Sequence, residues 1–302
     1  MSIHAFILHN GRICDAGSPA LYAGQLGLLA GWGVFTTIRV SQGALFRWER
    51  HWARLARDAE RINVDIPASA SEIESGLLRL IEANGRPDCT LRLVIVRNGG
   101  GMWEGPAGGS ARTSDVIALT ADSKLWGDSV RLAVQPNARF AANEFAGVKI
   151  LSWAQNLTWA ERAQKQGFDE TILLNERGQV AECTSANIFA VLDGAVYTPP
   201  LSDGCLAGIT REVLLNEIVL LKGAAGICIA ERSLPLDDLY RADEVFITST
   251  TRDLLPVHEI AGRALNRASG FPSTMVRERL SAAFREFVVR DIARRKLVGV
   301  SR

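Results

Sequence analysis

The chain has 302 residues, 47% hydrophobic and 22% charged, with a net charge of +1. That is ordinary globular composition, and the near-neutral balance gives no electrostatic case for nucleic acid or an anionic membrane as a partner. No apolar run approaches the roughly 20 residues of a membrane helix, and the Met1 end lacks the basic start and apolar stretch of a signal peptide. The five cysteines, Cys14, Cys89, Cys183, Cys205 and Cys228, are scattered and form no CxxC pair, which suits a reducing, cytoplasmic setting. The four histidines lie far apart, so no metal site is expected.

Residues 5–8 and 12–14 flank an Asn10-Gly11 turn and read as a hairpin. Residues 33–40 are β-rich and turn at Gln42-Gly43 into Leu45-Phe46. Residues 49–62 read as a helix with Trp52, Leu55, Ala56, Ala59 and Ile62 on one stripe. Ser71 and Glu74 make a capping box for a second helix ending at Asn84-Gly85. Residues 91–96 and 116–120 read as strands, and the glycine-rich residues 98–112 between them as a mobile loop. The spacing places a small domain over 1–120, a linker over 121–128 and a larger domain over 129–302. The second part runs as a strand (130–135), a helix (152–166), two hairpins turning at 175–178 and at Asp193-Gly194, and a helix (210–222). A strand (227–230), a short helix, a strand (244–248) and a long terminal helix complete it. Strand-first halves favour two α/β (α+β) domains with antiparallel or mixed sheets over a doubly wound parallel sheet.

Five places could carry chemistry. Lys149 stands among the apolar Val148, Ile150 and Leu151, where loss of hydration disfavours its charge and makes the amine a better nucleophile toward an aldehyde; a solvated lysine at a helix start is the plainer alternative. Glu182, on a strand among small residues, could pair with a protonated pyridine nitrogen, or be an exposed strand carboxylate. Gly208-Ile209-Thr210-Arg211 opens a helix, where free N–H groups make an anion site, although Thr210 could simply cap the helix. Thr248-Ser249-Thr250-Thr251-Arg252 is a hydroxyl-rich turn able to grip a phosphate. Arg54 lies off the apolar stripe with His51 and is either a surface arginine or a permanent cation for a phosphate.

Taken in order, these segments resemble the fold-type IV enzymes that depend on pyridoxal 5′-phosphate (PLP). That group includes branched-chain and D-amino-acid aminotransferases, (R)-selective amine transaminases and aminodeoxychorismate lyase. Gly33-Val34-Phe35-Thr36-Thr37-Ile38-Arg39-Val40 is similar to the family's early active-site strand, and His51-Trp52-Ala53-Arg54-Leu55 to its H-x-x-R-L segment. The stretch from Gly167 to Phe189 with Glu182, then Leu206-Ala207-Gly208-Ile209-Thr210-Arg211, then Ala242-Asp243-Glu244-Val245-Phe246, follow in the family's order. The resemblance implies two α/β domains with mixed sheets, a homodimer, and PLP as cofactor. It implies Lys149 as the lysine that bonds the cofactor and carries the proton between Cα and C4′, with Glu182 on the ring nitrogen. It implies Arg54, Ile209, Thr210, Ser249 and Thr250 on the phosphate.

Within the family the markers are mixed. Trp153 and Ser152 stand where branched-chain enzymes place a Tyr and an Asn, and Arg97-Asn98-Gly99 lacks the R-x-H trap of the D-amino-acid enzymes. Phe35-Thr36-Thr37 resembles the lyase, but Thr248 to Arg252 replaces its Asn-Ala-Leu turn, and Met102 or Trp103 stands where its loop arginine is expected. The expectation is an aminotransferase acting on an amino donor and a 2-oxo acid by a ping-pong mechanism. The lyase, with Thr37 assisting loss of pyruvate, and a PLP carrier without turnover are the alternatives. Phe35, Arg39, Arg92, Trp153, Thr251 and Arg252 are the candidate substrate residues, with Arg252 placed to select α-amino acids by their carboxylate.

Overall fold

The computed structural model describes residues 2–18, 21, 24–100, 112–265 and 274–299. Most of the predicted loop at 98–112, Met102 and Trp103 included, lies outside them. The chain divides into two compact units: Met1–Lys124 with Val148–Trp153 and Arg290–Arg302, and Leu125–Gly147 with Ala154–Val289. A single cut at 121–128 would have left Val148–Trp153, and Lys149 with it, in the second unit.

The first unit is built on β1 (Ile3–His9), β2 (Arg12–Asp15), β3 (Gly33–Ser41), β4 (Ala44–Leu45), β5 (Cys89–Arg97) and β6 (Ser114–Ala121), with α1 (Leu26–Ala30), α2 (Trp48–Arg61) and α3 (Ala70–Asn84). The sheet order is β2-β1-β6-β5-β3-β4 and every pairing is antiparallel. Alternation along the strands separates two faces. Val34, Ile38, Leu91, Leu93 and Ile95 join Leu55, Ala59, Leu77 and Leu80 in one core cluster under α2 and α3. Phe35, Thr37 and Arg39 belong to the opposite face, where their register partners are Val94, Arg92 and Thr90.

Two details differ from expectation. The capping box of α3 is Ser69 with Glu72, one pair of residues earlier than Ser71 and Glu74, because Ser69 is the residue with extended backbone ahead of the helix. The buried face of α2 is also not the purely apolar stripe: it holds Trp48, His51, Arg54, Leu55, Asp58 and Ala59, so three polar side chains go inward. Near the start of α2, the Arg47 N–H donates to Asp291 Oδ2 (3.2 Å) and Arg295 pairs with Glu49.

The second unit carries β7 (Val130–Arg139), α4 (Ala154–Lys165), β8 (Glu170–Asn175), β9 (Gln179–Cys183), β10 (Asn187–Leu192), β11 (Ala195–Thr198) and α5 (Ile209–Asn216). It continues with β12 (Ile229–Glu231), β13 (Leu234–Pro235), α6 (Leu236–Arg241), β14 (Glu244–Ser249), β15 (Asp253–Ile260), β16 (Arg263–Ala264) and α7 (Thr274–Gly299), whose last residues belong to the first unit. The mixed sheet runs β12-β11-β10-β14-β15-β7-β8-β9-β13, with β16 beside β15. Its parallel pairs are β11/β12, β15/β7 and β7/β8. Phe189 and Phe246 stack across β10 and β14 with centroids 5.0 Å apart.

α5 is shorter than the 210–222 expected; it stops at Asn216 and two 3₁₀ turns follow. α4 likewise starts at Ala154, not at 152. β15 has no counterpart among the expected strands, and it carries Pro256, a residue that central strands ordinarily exclude. It is tolerated because Pro256 is partnered only by Phe246 of β14, and pairing to β7 begins one residue later, at Val257. Among the described residues no helix is long and apolar enough to cross a membrane, and no group of His, Cys, Asp and Glu is placed to hold a metal ion. All five cysteines are free thiols.

Candidate active site

The candidate residues fall into two groups, one in each unit. In the first unit, β4 pairs β3 only at Val40 and Ser41, which leaves the Gly33–Phe35 end with an open edge. The Val148–Trp153 segment takes that edge. The Leu151 N–H donates to Gly33 O (2.9 Å), the Phe35 N–H donates to Lys149 O (3.1 Å), and Val34 and Ile150 form an antiparallel bridge. The approach is so close that a Cβ on Gly33 would meet Leu151 Cδ1 at 2.6 Å. Lys149 is thus held by its backbone, and its Nζ lies 4.4 Å from the Phe35 ring centroid and 5.6 Å from that of Trp153. The two rings meet edge to face at 5.6 Å.

Arg92 faces the same rings, its guanidinium carbon 4.5 Å from Phe35 and 6.0 Å from Trp153. Burial lowers its pKa from the usual arginine value. Among the described residues no carboxylate pairs with it. Thr37 is its register partner, and Arg39 lies two residues further along the same face.

Behind β3, Thr36 joins α2. Arg54 Nη2 donates to Thr36 Oγ1 (3.0 Å), and Thr36 Oγ1 lies 2.7 Å from His51 Nδ1. Burial holds the His51 pKa well below its usual value, and the charges of Arg54 and Lys149 push it the same way. Arg54 is therefore a buried side chain, not a surface one. Asp58, one turn further along α2, accepts the Lys149 backbone N–H at Oδ2 (3.1 Å) and Arg57 Nη2 at Oδ1 (2.9 Å).

In the second unit, Glu182 is 8% exposed on β9. Its Oε1 accepts Arg139 Nε (3.0 Å) and its Oε2 accepts the Leu206 N–H (3.1 Å). Arg139 Nη2 in turn donates to Asn156 Oδ1 (3.2 Å), and Asn156 Nδ2 to Thr184 O (2.7 Å). Each carboxylate oxygen keeps a further lone pair for a donor. Thr210 is not the cap of α5: Gly208 is, with no side-chain bond, and Ile209 and Thr210 are its first two residues. A Cβ on Gly208 would collide with Asn187 Oδ1, while Asn187 Nδ2 donates to Leu206 O (2.8 Å). Thr248 is the register partner of Asn187 and its buried Oγ1 has no hydrogen-bond partner among the described residues. Ser249 Oγ lies 3.4 Å from Thr251 Oγ1 in the turn that follows, which also holds Thr250.

Arg252 departs from expectation. It is buried and its two terminal nitrogens are engaged: Nη2 donates to Glu170 Oε2 (3.0 Å) and Ser185 Oγ (2.9 Å), Nη1 to Ser185 O (3.1 Å), and the guanidinium stacks 3.8 Å from Trp126. Burial lowers its pKa, against which the Glu170 charge works. A guanidinium committed to a buried carboxylate is a structural cross-link, not the substrate-facing cation expected of Arg252.

Comparison with known proteins decides the family. The chain matches the amino-transferase class IV profile over residues 33–260. This chain belongs to the class IV aminotransferases. It is 34% identical over 85% of its length, and 88% of the relative's, to a Methanocaldococcus jannaschii protein whose name assigns it provisionally to branched-chain amino-acid transamination. It is 31% identical over 89% of its length to the D-alanine aminotransferase of Bacillus licheniformis, covering 93% of that enzyme. The branched-chain aminotransferase of Thermoproteus uzoniensis, solved with norvaline, matches with a TM-score of 0.82 at 29% identity, over 95% of this chain and 96% of that one.

The residues of this aminotransferase fit a phosphorylated pyridine cofactor, of the kind that a similar branched-chain aminotransferase holds as pyridoxamine 5′-phosphate. A glycine crowded against Asn187 opens a helix whose first N–H groups lack helical acceptors, and an orphaned buried hydroxyl, Thr248 Oγ1, lies on the strand beside Asn187. Sequence reasoning missed Thr36, Asp58, Arg139, Asn156 and Glu170. Only Asp58 left a signal, since His51, Arg54 and Asp58 recur at intervals of three and four, one helical face.

Proposed function

We propose that this class IV aminotransferase transfers an amino group from an α-amino acid to a 2-oxo acid, with Lys149 as the lysine that bonds PLP and moves the proton. The observation that carries the reading is the sharing of the Phe35 ring by the Lys149 amine and the Arg92 guanidinium, at 4.4 and 4.5 Å. One is a base for the substrate Cα–H. The other is a cation with no carboxylate partner among the described residues, suited to a substrate carboxylate.

Bound PLP supplies an electron sink for the pair left when the Cα–H bond breaks. The protein does the rest. Lys149, held at N–H and C=O, takes the proton from Cα and delivers it to C4′. Phe35 and Trp153 exclude water around its amine. Glu182, oriented by Arg139 and the Leu206 N–H, pairs with the ring nitrogen. Arg54, Ile209, Thr210, Ser249 and Thr250 hold the phosphate. These assignments rest on the ordered motifs and on the fit of each residue within its own unit. Arg92 takes the carboxylate, with Arg39 beside it, and a second substrate runs the sequence in reverse, a ping-pong cycle. The homodimer that the resemblance implies belongs to the proposal, and sedimentation equilibrium tests it.

The deciding experiment is spectral. Conversion of the bound cofactor to its pyridoxamine form by an amino acid, reversed by a 2-oxo acid, supports the reading. Release of pyruvate from aminodeoxychorismate without that conversion would instead mark the lyase.

A further inference from the structure

α2 sends three polar side chains inward at intervals of three and four, His51, Arg54 and Asp58. The first two meet Thr36 on β3. Asp58 is 1% exposed and does something different: it reaches the backbone of the segment that carries Lys149. The two backbone bonds that seat this segment on β3, and between which Val34 and Ile150 bridge, run from the Leu151 N–H to Gly33 O and from the Phe35 N–H to Lys149 O. Neither of them satisfies the Lys149 N–H. Asp58 Oδ2 does, at 3.1 Å, and it is fixed for the purpose because Oδ1 is gripped twice by Arg57, from Nε at 3.2 Å and Nη2 at 2.9 Å.

We propose that Asp58 is a positioning residue for Lys149: its carboxylate accepts the Lys149 backbone N–H and so sets where the amine stands against Phe35. The inference rests on the reading of Lys149 as the reacting lysine. The physical case is that the Lys149–Asp58 bond is partly buried, and an N–H left there without an acceptor carries part of the roughly 1–3 kcal/mol desolvation cost of a fully buried one. A segment seated on a strand end by two backbone bonds relieves that cost by lifting or twisting at the residue that lost its acceptor. Small displacements of a reacting amine are expensive in rate, on the order of 10²-fold per ångström. Asp58 therefore acts through the backbone, not on the substrate. Because Asp58 and Arg54 share one helix face, a shift of α2 would disturb Lys149 and the proposed phosphate anchor together.

The test compares Asp58→Asn and Asp58→Ala in the full-length holoenzyme, by peptide-resolved amide hydrogen exchange and by steady-state kinetics. Asn keeps an acceptor oxygen; Ala removes it. In Asp58→Ala, the peptide covering residues 148–153 should exchange faster while α3 and β5 remain protected, and kcat should fall about tenfold or more with KM little changed. Asp58→Asn should restore both the protection and most of kcat. If Asp58→Ala folds poorly, Asp58→Asn still decides, since it must match wild type in both readouts. Unchanged exchange at 148–153 in Asp58→Ala overturns the proposal, as does an Asn variant as impaired as Ala, which would show that charge, not the acceptor, is what matters. The exchange readout does not depend on Lys149 chemistry. Failure of the Lys149 assignment would appear separately, as a cofactor label on another residue.

Discussion

Replacing Arg92 with Leu separates substrate recognition from stability. The guanidinium lies against Phe35 and Trp153, with no carboxylate partner among the described residues, and burial already disfavours its charge. Its loss should therefore cost little folding stability. If it receives a substrate carboxylate, the variant loses a charge-assisted bond worth roughly 1.5–3 kcal/mol, or roughly 10- to 150-fold in kcat/KM. The assay is the ratio of kcat/KM for leucine over 3-methylbutylamine, the same side chain without the carboxylate, together with thermal unfolding. The ratio should collapse by that factor while Tm stays within a few degrees. Arg252→Leu is the contrasting variant. It leaves Glu170, 2% exposed, without its cation. Breaking such a buried pair costs roughly 3–5 kcal/mol, or on the order of 10 °C in Tm for a unit of this size, without changing the ratio. A ratio that survives Arg92→Leu but collapses in Arg252→Leu at unchanged Tm would refute the reasoning.

Glu182→Gln should retain PLP but lose on the order of 10²-fold in kcat, because an amide cannot hold a proton on the pyridine nitrogen; turnover near wild type would remove Glu182 from the ring. Glu244, at the start of β14, has its carboxyl pushed up to about 7 by burial, with Arg277 4.0 Å away opposing the shift only in part. A folded-state pKa above the unfolded value means that the folded chain binds more protons between roughly pH 4.5 and 7, so this contribution to stability falls as pH rises through that window. Glu244→Gln should flatten the decline in Tm between roughly pH 5 and pH 8 and be the more stable protein at the upper end. Equal slopes for variant and wild type would contradict the assignment.

The fold class and most strands are legible because alternation and turn signals are local: Asn10-Gly11, residues 175–178 and Asp193-Gly194 all turn hairpins as expected. What is not legible depends on distant partners. Pro256 argues against β15, since nothing in the sequence reveals that the β7 pairing starts only at Val257. Hydrophobic periodicity makes the α2 stripe apolar and does not anticipate that His51, Arg54 and Asp58 find buried partners in Thr36 and the Lys149 backbone. Arg252 escapes sequence reasoning for the same reason. Its neighbours in sequence are hydroxyls, and its partner in space is Glu170, 82 residues away.

The account turns on Lys149. Borohydride reduction of the PLP-loaded protein, followed by peptide mapping, should place a single pyridoxyl label on Lys149, in the peptide that seats against Gly33 and Phe35. A label on any other lysine, or none on the chain, would contradict it.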